Sequence, residues 1–90
     1  MSTPPVGIVL KDTDVGWIAT VSVNDATTTV HRVRISRAEH ERYGGGDVTA
    51  LVRRSFDFLL AREPNTSVLR EFSLADIERY FPEFAKKIRG

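Results

Sequence analysis

One alternating segment constrains the fold of this 90-residue chain more than any other feature of its sequence. Within residues 15–23 every odd position is apolar, whereas the even positions are small or polar, with Ile18 as the exception. A period of two is typical of a β-strand that buries one face and exposes the other. The chain must therefore build a sheet, and other elements must cover the apolar face of that sheet.

Two further β-type segments flank the alternating one. A short apolar run, 6–10, follows two prolines, which lie where a strand needs no hydrogen-bond donor. After the turn-forming residues 24–26, residues 27–36 are again rich in β-branched side chains. We therefore predict three strands within about residues 6–36, paired one after another as an antiparallel meander.

The third predicted strand has two chemically different faces. Val33 and Ile35 share one face with His31, whereas Arg32 and Arg34 share the other. We expect the aliphatic face to point inward and the two arginines to lie in solvent, since arginine is almost never fully buried without a partner. His31 then becomes a half-buried residue at the entrance of the strand, with no catalytic role.

Helical signals begin directly after the third strand. Ser36 and Glu39 have the spacing of a capping box, which predicts the start of a short helix. Three glycines at 44–46 stop that helix, since each costs about 1 kcal/mol relative to alanine in a helix. Asp47 then caps a longer amphipathic helix, which is expected to end near Arg62 because a proline follows closely.

The C-terminal part of the chain is also predicted to be helical. Residues 65–72 are expected to form one or two short turns, and Ser73 starts a further helix through a second capping box with aspartate as the acidic residue. Pro82 interrupts that helix and restarts a last turn, so the helices fall within about residues 37–88. We predict a single α+β domain over residues 1–90, with an N-terminal three-stranded antiparallel meander packed against C-terminal helices.

The predicted core joins the inward face of the strands to the apolar stripes of the helices. A chain of this length buries only about 60 % of the surface that its unfolded form exposes, so it supports one core. The residues assigned to this core are Trp17, Val21, Val33, Ile35, Leu51, Val52, Phe56, Leu59, Leu69, Phe72, Ile77 and Phe81.

Composition excludes several kinds of chemistry. The chain has no cysteine, which removes disulfides, thiolate metal sites, iron–sulfur clusters and a cysteine nucleophile. Its two histidines, His31 and His40, show no metal-ligand spacing, and no Gly-x-Ser-x-Gly motif occurs. We therefore predict no cofactor, no metal site and no catalytic residue, and we expect the protein not to be an enzyme.

Charge and hydropathy limit the partners. The chain has 13 Lys and Arg against 12 Asp and Glu, and a net charge of +1 gives no global attraction for nucleic acid or anionic lipid. The N-terminus lacks the pattern of a signal peptide, and no apolar run approaches the roughly 20 residues that span a bilayer. The sequence predicts a cytoplasmic protein with no membrane partner.

Four arginines form the broadest candidate binding feature. Arg32 and Arg34 lie on the outer face of a predicted strand, and Arg53 and Arg54 lie off the apolar stripe of the main helix. Such side chains bind phosphates when the fold brings them to one surface. The strand lacks the stacking aromatic residues of single-strand binders, so we rank nucleic-acid binding below binding to a protein partner.

Four apolar residues remain after each element has buried one face, namely Phe58, Leu60, Ile18 and Tyr80. Phe58 and Leu60 flank an already wide apolar stripe on the main helix. Leftover apolar surface on a small domain often forms an interface between identical subunits. We therefore assign Phe58 and Leu60 to a homo-oligomer interface, such as that of a homodimer.

Four segments of the C-terminal half carry a resemblance to other proteins. They are Phe-x-Phe-Leu-Leu at 56–60, Arg-Glu-Pro at 62–64, residues 69–72 and residues 77–82. In these segments the chain resembles a small family of uncharacterised bacterial proteins of similar length. The resemblance implies a shared fold and a bacterial source, and it implies no activity.

The first predicted hairpin carries a looser resemblance. Lys-Asp at 11–12 followed by Gly-Trp-Ile-Ala at 16–19 resembles the first hairpin of small antitoxins with a partial ribonuclease-H-like fold. Those antitoxins place a proline-glycine loop after their second strand, whereas this chain has Asn-Asp-Ala at 24–26. No residue role is carried over from them.

No motif in the chain names a substrate, so the sequence predicts function only by class. The first hypothesis is a non-enzymatic protein-interaction or regulatory module, whose partner is another protein or a second copy of the chain. The alternative is a nucleic-acid-binding protein that uses Arg32, Arg34, Arg53 and Arg54. A remote alternative is a small enzyme whose site is completed at a dimer interface.

Overall fold

The computed structural model describes residues 5–89 of the chain. The first four residues and the C-terminal Gly90, which the prediction of one domain includes, lie outside the described residues. Most strands precede most helices, as in an α+β protein. In chain order the elements are β1 (Val6–Thr13), β2 (Gly16–Asn24), β3 (Thr28–Ser36), α1 (Arg37–Arg42), α2 (Val48–Leu60), a 3₁₀ turn (Asn65–Ser67), β4 (Glu71–Ser73), α3 (Leu74–Tyr80) and α4 (Phe84–Arg89).

The strands form one four-stranded sheet in the order β1-β2-β3-β4. The first three pair antiparallel with their neighbours, so the predicted meander is confirmed. β4 pairs with β3 in parallel, with Val33 opposite Phe72, and the prediction of a purely antiparallel three-stranded sheet is wrong in this respect. Residues 65–72 contain the 3₁₀ turn and then enter β4, so the helical prediction for this segment is correct for its first part alone.

The tight connection between β1 and β2 requires a glycine. Gly16 has a φ of 153°, a conformation that other residues rarely adopt. It lies opposite Ser36 of β3, and a Cβ atom at this position would overlap the carbonyl oxygen of Ile35. The close approach of β3 therefore excludes any side chain here.

Hydrogen bonds confirm the predicted helix starts. Ser36 Oγ accepts from the N–H of Glu39 at 3.1 Å, and the N–H of Ser36 donates to Glu39 Oε1 at 2.8 Å, which completes the capping box of α1. Asp47 accepts two N–H groups from the first turn of α2. The N–H of Ser73 donates to Asp76 Oδ2 at 3.0 Å at the start of α3. Each cap satisfies backbone donors that the helix itself leaves without an acceptor.

The helices cover one face of the sheet. On this face lie the odd positions of β2 and β3, among them Val21 and Val33, together with the even positions of β1, among them Ile8. Phe56 of α2 is buried against it, with its ring centroid 5.5 Å from that of His31. The opposite face, called here the open face, consists of the odd positions of β1 and the even positions of β2 and β3. No described helix covers the open face, and most of its side chains are exposed.

The buried core departs from the predicted one at its margin. Leu69 is 49 % exposed, so its assignment to the core is wrong, whereas its neighbour Val68 is buried. Successive side chains of an extended segment point to opposite sides, and Val68 takes the inward direction. Trp17 and Phe81 are half-buried against the core, and Tyr43, which the sequence did not place there, is fully buried.

Candidate functional site

Two of the four candidate arginines lie on the open face. Arg32 and Arg34 are exposed, as predicted, and Arg32 Nη1 lies 3.7 Å from Glu71 Oε2 on the adjacent strand β4. Lys11 belongs to the same face, because the register places it opposite Ile18, which in turn lies opposite Arg34. The open face therefore brings together three basic side chains, one of them already paired with a carboxylate.

The other two candidate arginines lie in the helix layer. Arg53 and Arg54 are exposed on α2, and Arg53 Nη1 donates to the carbonyl oxygen of Val6 in β1 at 3.3 Å. Because α2 packs on the face opposite to Arg32 and Arg34, the sheet lies between the two arginine pairs. The structure thus places the four residues on two surfaces.

Phe58, assigned to an oligomer interface, lies inside the chain. Its side chain is only 9 % exposed and makes edge-to-face contacts with Phe81 and Phe84, at centroid distances of 5.8 and 5.2 Å. The guanidinium carbon of Arg62 lies 3.5 Å from the centroid of the Phe58 ring. Leu60 is half-buried against the same core. The prediction that these two side chains remain exposed is wrong, because α4 and Arg62 cover this side of α2.

The structure instead shows an apolar groove where α2 ends, between the connection to β4 and helix α3. The groove encloses about 200 Å³. Buried residues such as Phe72 and Ile77 form its floor, whereas Leu69 and Tyr80 remain 49 % and 69 % exposed at its rim. The residues that line the groove are Leu59, Glu63, Ser67, Val68, Leu69, Phe72, Asp76, Ile77, Tyr80 and Phe81.

Two carboxylates line the groove, and one of them, Asp76, is paired with Arg79 at 3.5 Å. The pKa of Asp76 lies below its ordinary value, chiefly because the backbone N–H of Ser73 donates to it, with smaller contributions from the charges of Arg79 and Arg34. Asp76 therefore stays ionised at neutral pH. Glu63 takes part in none of the ion pairs among residues 5–89. The groove thus combines an apolar floor with one carboxylate that lacks a cationic partner within the described chain.

A buried hydrogen-bond network links the segment 65–69, which lines the groove, to strand β3. His31 Nδ1 lies 2.8 Å from the carbonyl oxygen of Leu69, and its Nε2 lies 2.8 Å from Thr29 Oγ1. Asn65 Nδ2 donates to the same Thr29 oxygen at 2.9 Å and to the carbonyl oxygen of Thr27 at 2.7 Å. A carbonyl oxygen only accepts, so Nδ1 carries the proton and neutral Nε2 accepts from the Thr29 hydroxyl.

His31 is fully buried, which corrects the half-buried position predicted for it. Burial lowers its pKa, because a charged imidazolium is poorly solvated inside the core. Both ring nitrogens are used within the fold, so the imidazole acts as a neutral link between β3 and the segment that leads to Leu69. The sequence signal for this role was the position of His31 on the apolar face of its strand.

A second polar cluster joins α1 to α3. The Tyr43 hydroxyl donates to Glu78 Oε1 at 2.7 Å, and Arg42 donates to both carboxylate oxygens of Glu78. Burial, followed by the hydrogen bond to Glu78, raises the pKa of Tyr43 to about 12, and the hydrogen bond from Arg42 lowers the pKa of Glu78. Each polar group has a partner inside the cluster, so its geometry is that of a structural tie.

The described residues contain neither a group of metal ligands nor a membrane-spanning helix. No group of three or more histidine, aspartate or glutamate side chains within residues 5–89 is arranged to hold a metal ion. No helix in the same range is long and apolar enough to cross a membrane. The groove and the open face are two surfaces whose composition suggests binding.

The chain matches no protein-family model, no curated protein and no solved structure. The resemblances of its C-terminal half to a bacterial family and of its first hairpin to antitoxins therefore stay predictions. Function must be argued from the surfaces themselves.

Proposed function

We propose that the protein is a non-enzymatic interaction module of a bacterial cytoplasm, which binds an apolar segment of a partner protein in the groove. One observation carries the proposal. Leu69 and Tyr80 are large side chains that remain 49 % and 69 % exposed directly beside an apolar cavity. Contiguous exposed apolar surface with a concave shape is characteristic of binding sites.

The rim of the groove defines the chemistry of the partner. A bulky aliphatic or aromatic side chain fills the cavity above Phe72 and Ile77, and Leu69 and Tyr80 close over it. A lysine or arginine near that side chain then pairs with Glu63. The partner segment is therefore amphipathic and basic.

Affinity capture with matched variants tests this proposal. The tagged full chain is incubated with lysate of the source cell, in parallel with the double variant Leu69→Lys, Tyr80→Lys and with Val15→Lys. Val15 is 74 % exposed in the turn between β1 and β2 and does not line the groove, so its variant is the control. A partner retained by the wild type and the control, but lost by the double variant, supports the proposal. Equal capture by all three proteins contradicts it.

Direct titration of the purified partner gives the second readout. Loss of one buried apolar side chain from an interface costs about 1.5–3 kcal/mol, so the dissociation constant should rise at least about tenfold in the double variant. Glu63→Lys should weaken binding further at low salt and less at high salt, since the charge pair lies at the rim. An affinity that does not change in the double variant would place the binding site outside the groove.

A nucleic-acid-binding function is the second candidate, and the open face favours it. Lys11, Arg32 and Arg34 share that face, although the pair of Arg32 with Glu71 weakens its field. Fluorescence anisotropy on short duplexes should then give a log–log salt slope of about −2.7 for three phosphate contacts. Reversal of Arg32 and Arg34 to glutamate should abolish this binding, and the same reversal at positions 53 and 54 should not. Absence of binding at tens of micromolar protein leaves the protein partner as the better account.

A further inference from the structure

β1 is an edge strand whose hydrogen-bonding groups alternate between its neighbour and the outside. The N–H of Asn24 donates to the carbonyl oxygen of Pro5 at 3.0 Å, so Pro5 and Asn24 form a hydrogen-bonded pair of the ladder. Hydrogen-bonded and non-hydrogen-bonded pairs alternate along antiparallel strands. The register of β1 and β2 then directs the backbone N–H and C=O groups of the even residues outward from the free edge, within the plane of the sheet. These residues are Val6, Ile8, Leu10 and Asp12.

This edge is long and only partly protected, with Lys11 and Asp12 near its C-terminal end as its charged residues. β1 has eight residues and no proline within Val6–Thr13, whereas the opposite edge strand β4 has three residues. Among the described residues, one side chain reaches the free edge, since Arg53 Nη1 donates to the carbonyl oxygen of Val6. Long edge strands with free backbone groups are templates for pairing with another strand.

We propose that β1 pairs with β1 of a second copy of this chain, antiparallel about a two-fold axis at Val9. Only even-numbered residues direct their backbone groups outward, so they must form the hydrogen-bonded pairs. The register centred on Val9 places Ile8 opposite Leu10 of the partner subunit and Val6 opposite Asp12 of the partner subunit. This register uses all four outward residues, and each pair exchanges two hydrogen bonds. A shift by two residues in either direction leaves at least one of them outside the ladder.

The side chains are self-complementary in this register, which favours a second copy over another protein. Val6, Ile8 and Leu10 are half-buried on the helix-covered face, and the partner's Ile8 and Leu10 complete their burial. Val9, 71 % exposed on the open face, packs against the partner's Val9. An isologous interface requires such a match of one patch with itself.

Charge supports the same register. Asp12 shares a face with Val6, and the partner's Asp12 lies opposite Val6, whose carbonyl oxygen is bound by Arg53. In the dimer the N–H of the partner's Asp12 donates to the carbonyl oxygen of Val6 in place of Arg53. The guanidinium of Arg53 then pairs with the carboxylate of the partner's Asp12. The pair occurs twice about the two-fold axis. The interface uses an edge that the groove does not touch, so the failure of one proposal leaves the other standing.

Sedimentation equilibrium and light scattering on the full chain test the assembly. The wild type should give twice the monomer mass of 10.1 kDa. Val9→Lys should return the monomer mass, because two like charges would face each other across the axis. Thr20→Lys is the matched control, since Thr20 is exposed on the same open face, opposite Val9 on the inner strand β2, and it should keep the dimer mass.

Disulfide trapping tests the register. The chain has no cysteine, so single-cysteine variants report one position each. Val9→Cys forms a non-hydrogen-bonded pair with itself, in which Cα atoms lie about 4.5 Å apart, and mild oxidation should cross-link the dimer. Lys11→Cys lies opposite the partner's Gly7, and its two thiols remain too far apart to bond.

Charge exchange completes the test. Arg53→Asp and Asp12→Arg should each raise the dimer dissociation constant by about two- to thirty-fold, because two exposed ion pairs are lost. The combined variant should recover most of the affinity. A monomer mass at all concentrations would overturn the proposal. So would cross-linking of Lys11→Cys in place of Val9→Cys, or a dimer that Val9→Lys leaves intact and that Leu69→Lys dissociates.

Discussion

Acidification should weaken the fold through one buried imidazole, that of His31. Its pKa in the folded state lies below the ordinary value of 6.5 because burial disfavours the charged form. The unfolded state therefore binds more protons as the pH falls. The contribution of neutral His31 to the free energy of unfolding is fully present above pH 6.5. It is lost as the pH falls from there through the lowered pKa of the folded state.

The structure explains where the cost arises, and proton linkage sets its upper limit. A second proton on His31 would lie on Nε2, which faces Thr29 Oγ1 at 2.8 Å, and the Thr29 hydroxyl would lose the acceptor of its own hydrogen. One proton bound in the unfolded state alone changes the free energy of unfolding by about 1.4 kcal/mol per pH unit at most. For a domain of this size this limit corresponds to a fall in Tm of at most about 6–11 °C per pH unit.

Urea unfolding followed by circular dichroism, from pH of about 7.5 down to about 5, measures this slope. The interval lies above the ordinary pKa values of 3.8 for Asp76 and 4.5 for Glu78, both of which are lowered further in the fold. His31→Gln should abolish the decline, whereas His40→Gln, the control, should keep it because the links of His31 stay intact. A wild-type free energy that is constant over this interval would refute the reasoning, as would a decline that survives in His31→Gln.

Three further predictions concern stability. Phe56→Ala removes a fully buried ring from the core and should cost about 3–5 kcal/mol in urea unfolding, and a loss below about 1 kcal/mol would contradict the packing of α2. Glu39 accepts from the N–H of Ser36 at 2.8 Å and from the N–H of Ala75 at 2.7 Å, one at each carboxylate oxygen. Glu39→Gln leaves one of these two donors without an acceptor and should cost about 1–3 kcal/mol, whereas the exposed neighbour Glu41→Gln should change stability by less than about 0.5 kcal/mol. Gly16→Ala should cost roughly 1–3 kcal/mol in thermal unfolding, since its φ and the carbonyl oxygen of Ile35 both exclude a side chain.

Local signals in the sequence predicted the elements whose cause is local. Ser36, Asp47 and Ser73 start helices because each side chain or backbone group finds its partner within the next three residues. The alternation in residues 15–23 predicted the buried face of β2 for the same reason, since the period of a strand is a property of its own backbone.

The remaining part of the fold depends on contacts between distant segments. β4 has only three residues, too few to show a period, and it becomes a strand because it pairs with the free side of β3. Leu69 was assigned to the core because its segment was interpreted as helical, and the extended backbone exposes it instead. No local sequence pattern in this segment distinguishes a helical backbone from an extended one.

The candidate site was predicted least well, for the same physical reason. The even face of β3 was correctly expected to carry Arg32 and Arg34 in solvent, because strand alternation determines it. The predicted core, which packs the main helix on the aliphatic face of the sheet, already separates these residues from Arg53. The groove depends on where the connection to β4 passes, and the burial of Phe58 depends on α4 and Arg62. Neither follows from the period of a single helix.

The parallel pairing of β4 should also make this strand the last to dock during folding. The meander of β1 to β3 closes through short turns, whereas β4 returns to β3 only after α1 and α2 and so requires the closure of a much longer loop. Phe72 and Leu69, at the floor and the rim of the groove, arrive with this late segment. The amide of Arg32, which donates to the carbonyl oxygen of Arg70 at 2.7 Å, should exchange with solvent faster than amides between β2 and β3. A ligand in the groove would then bind only molecules in which the last strand has docked, and it would slow that exchange.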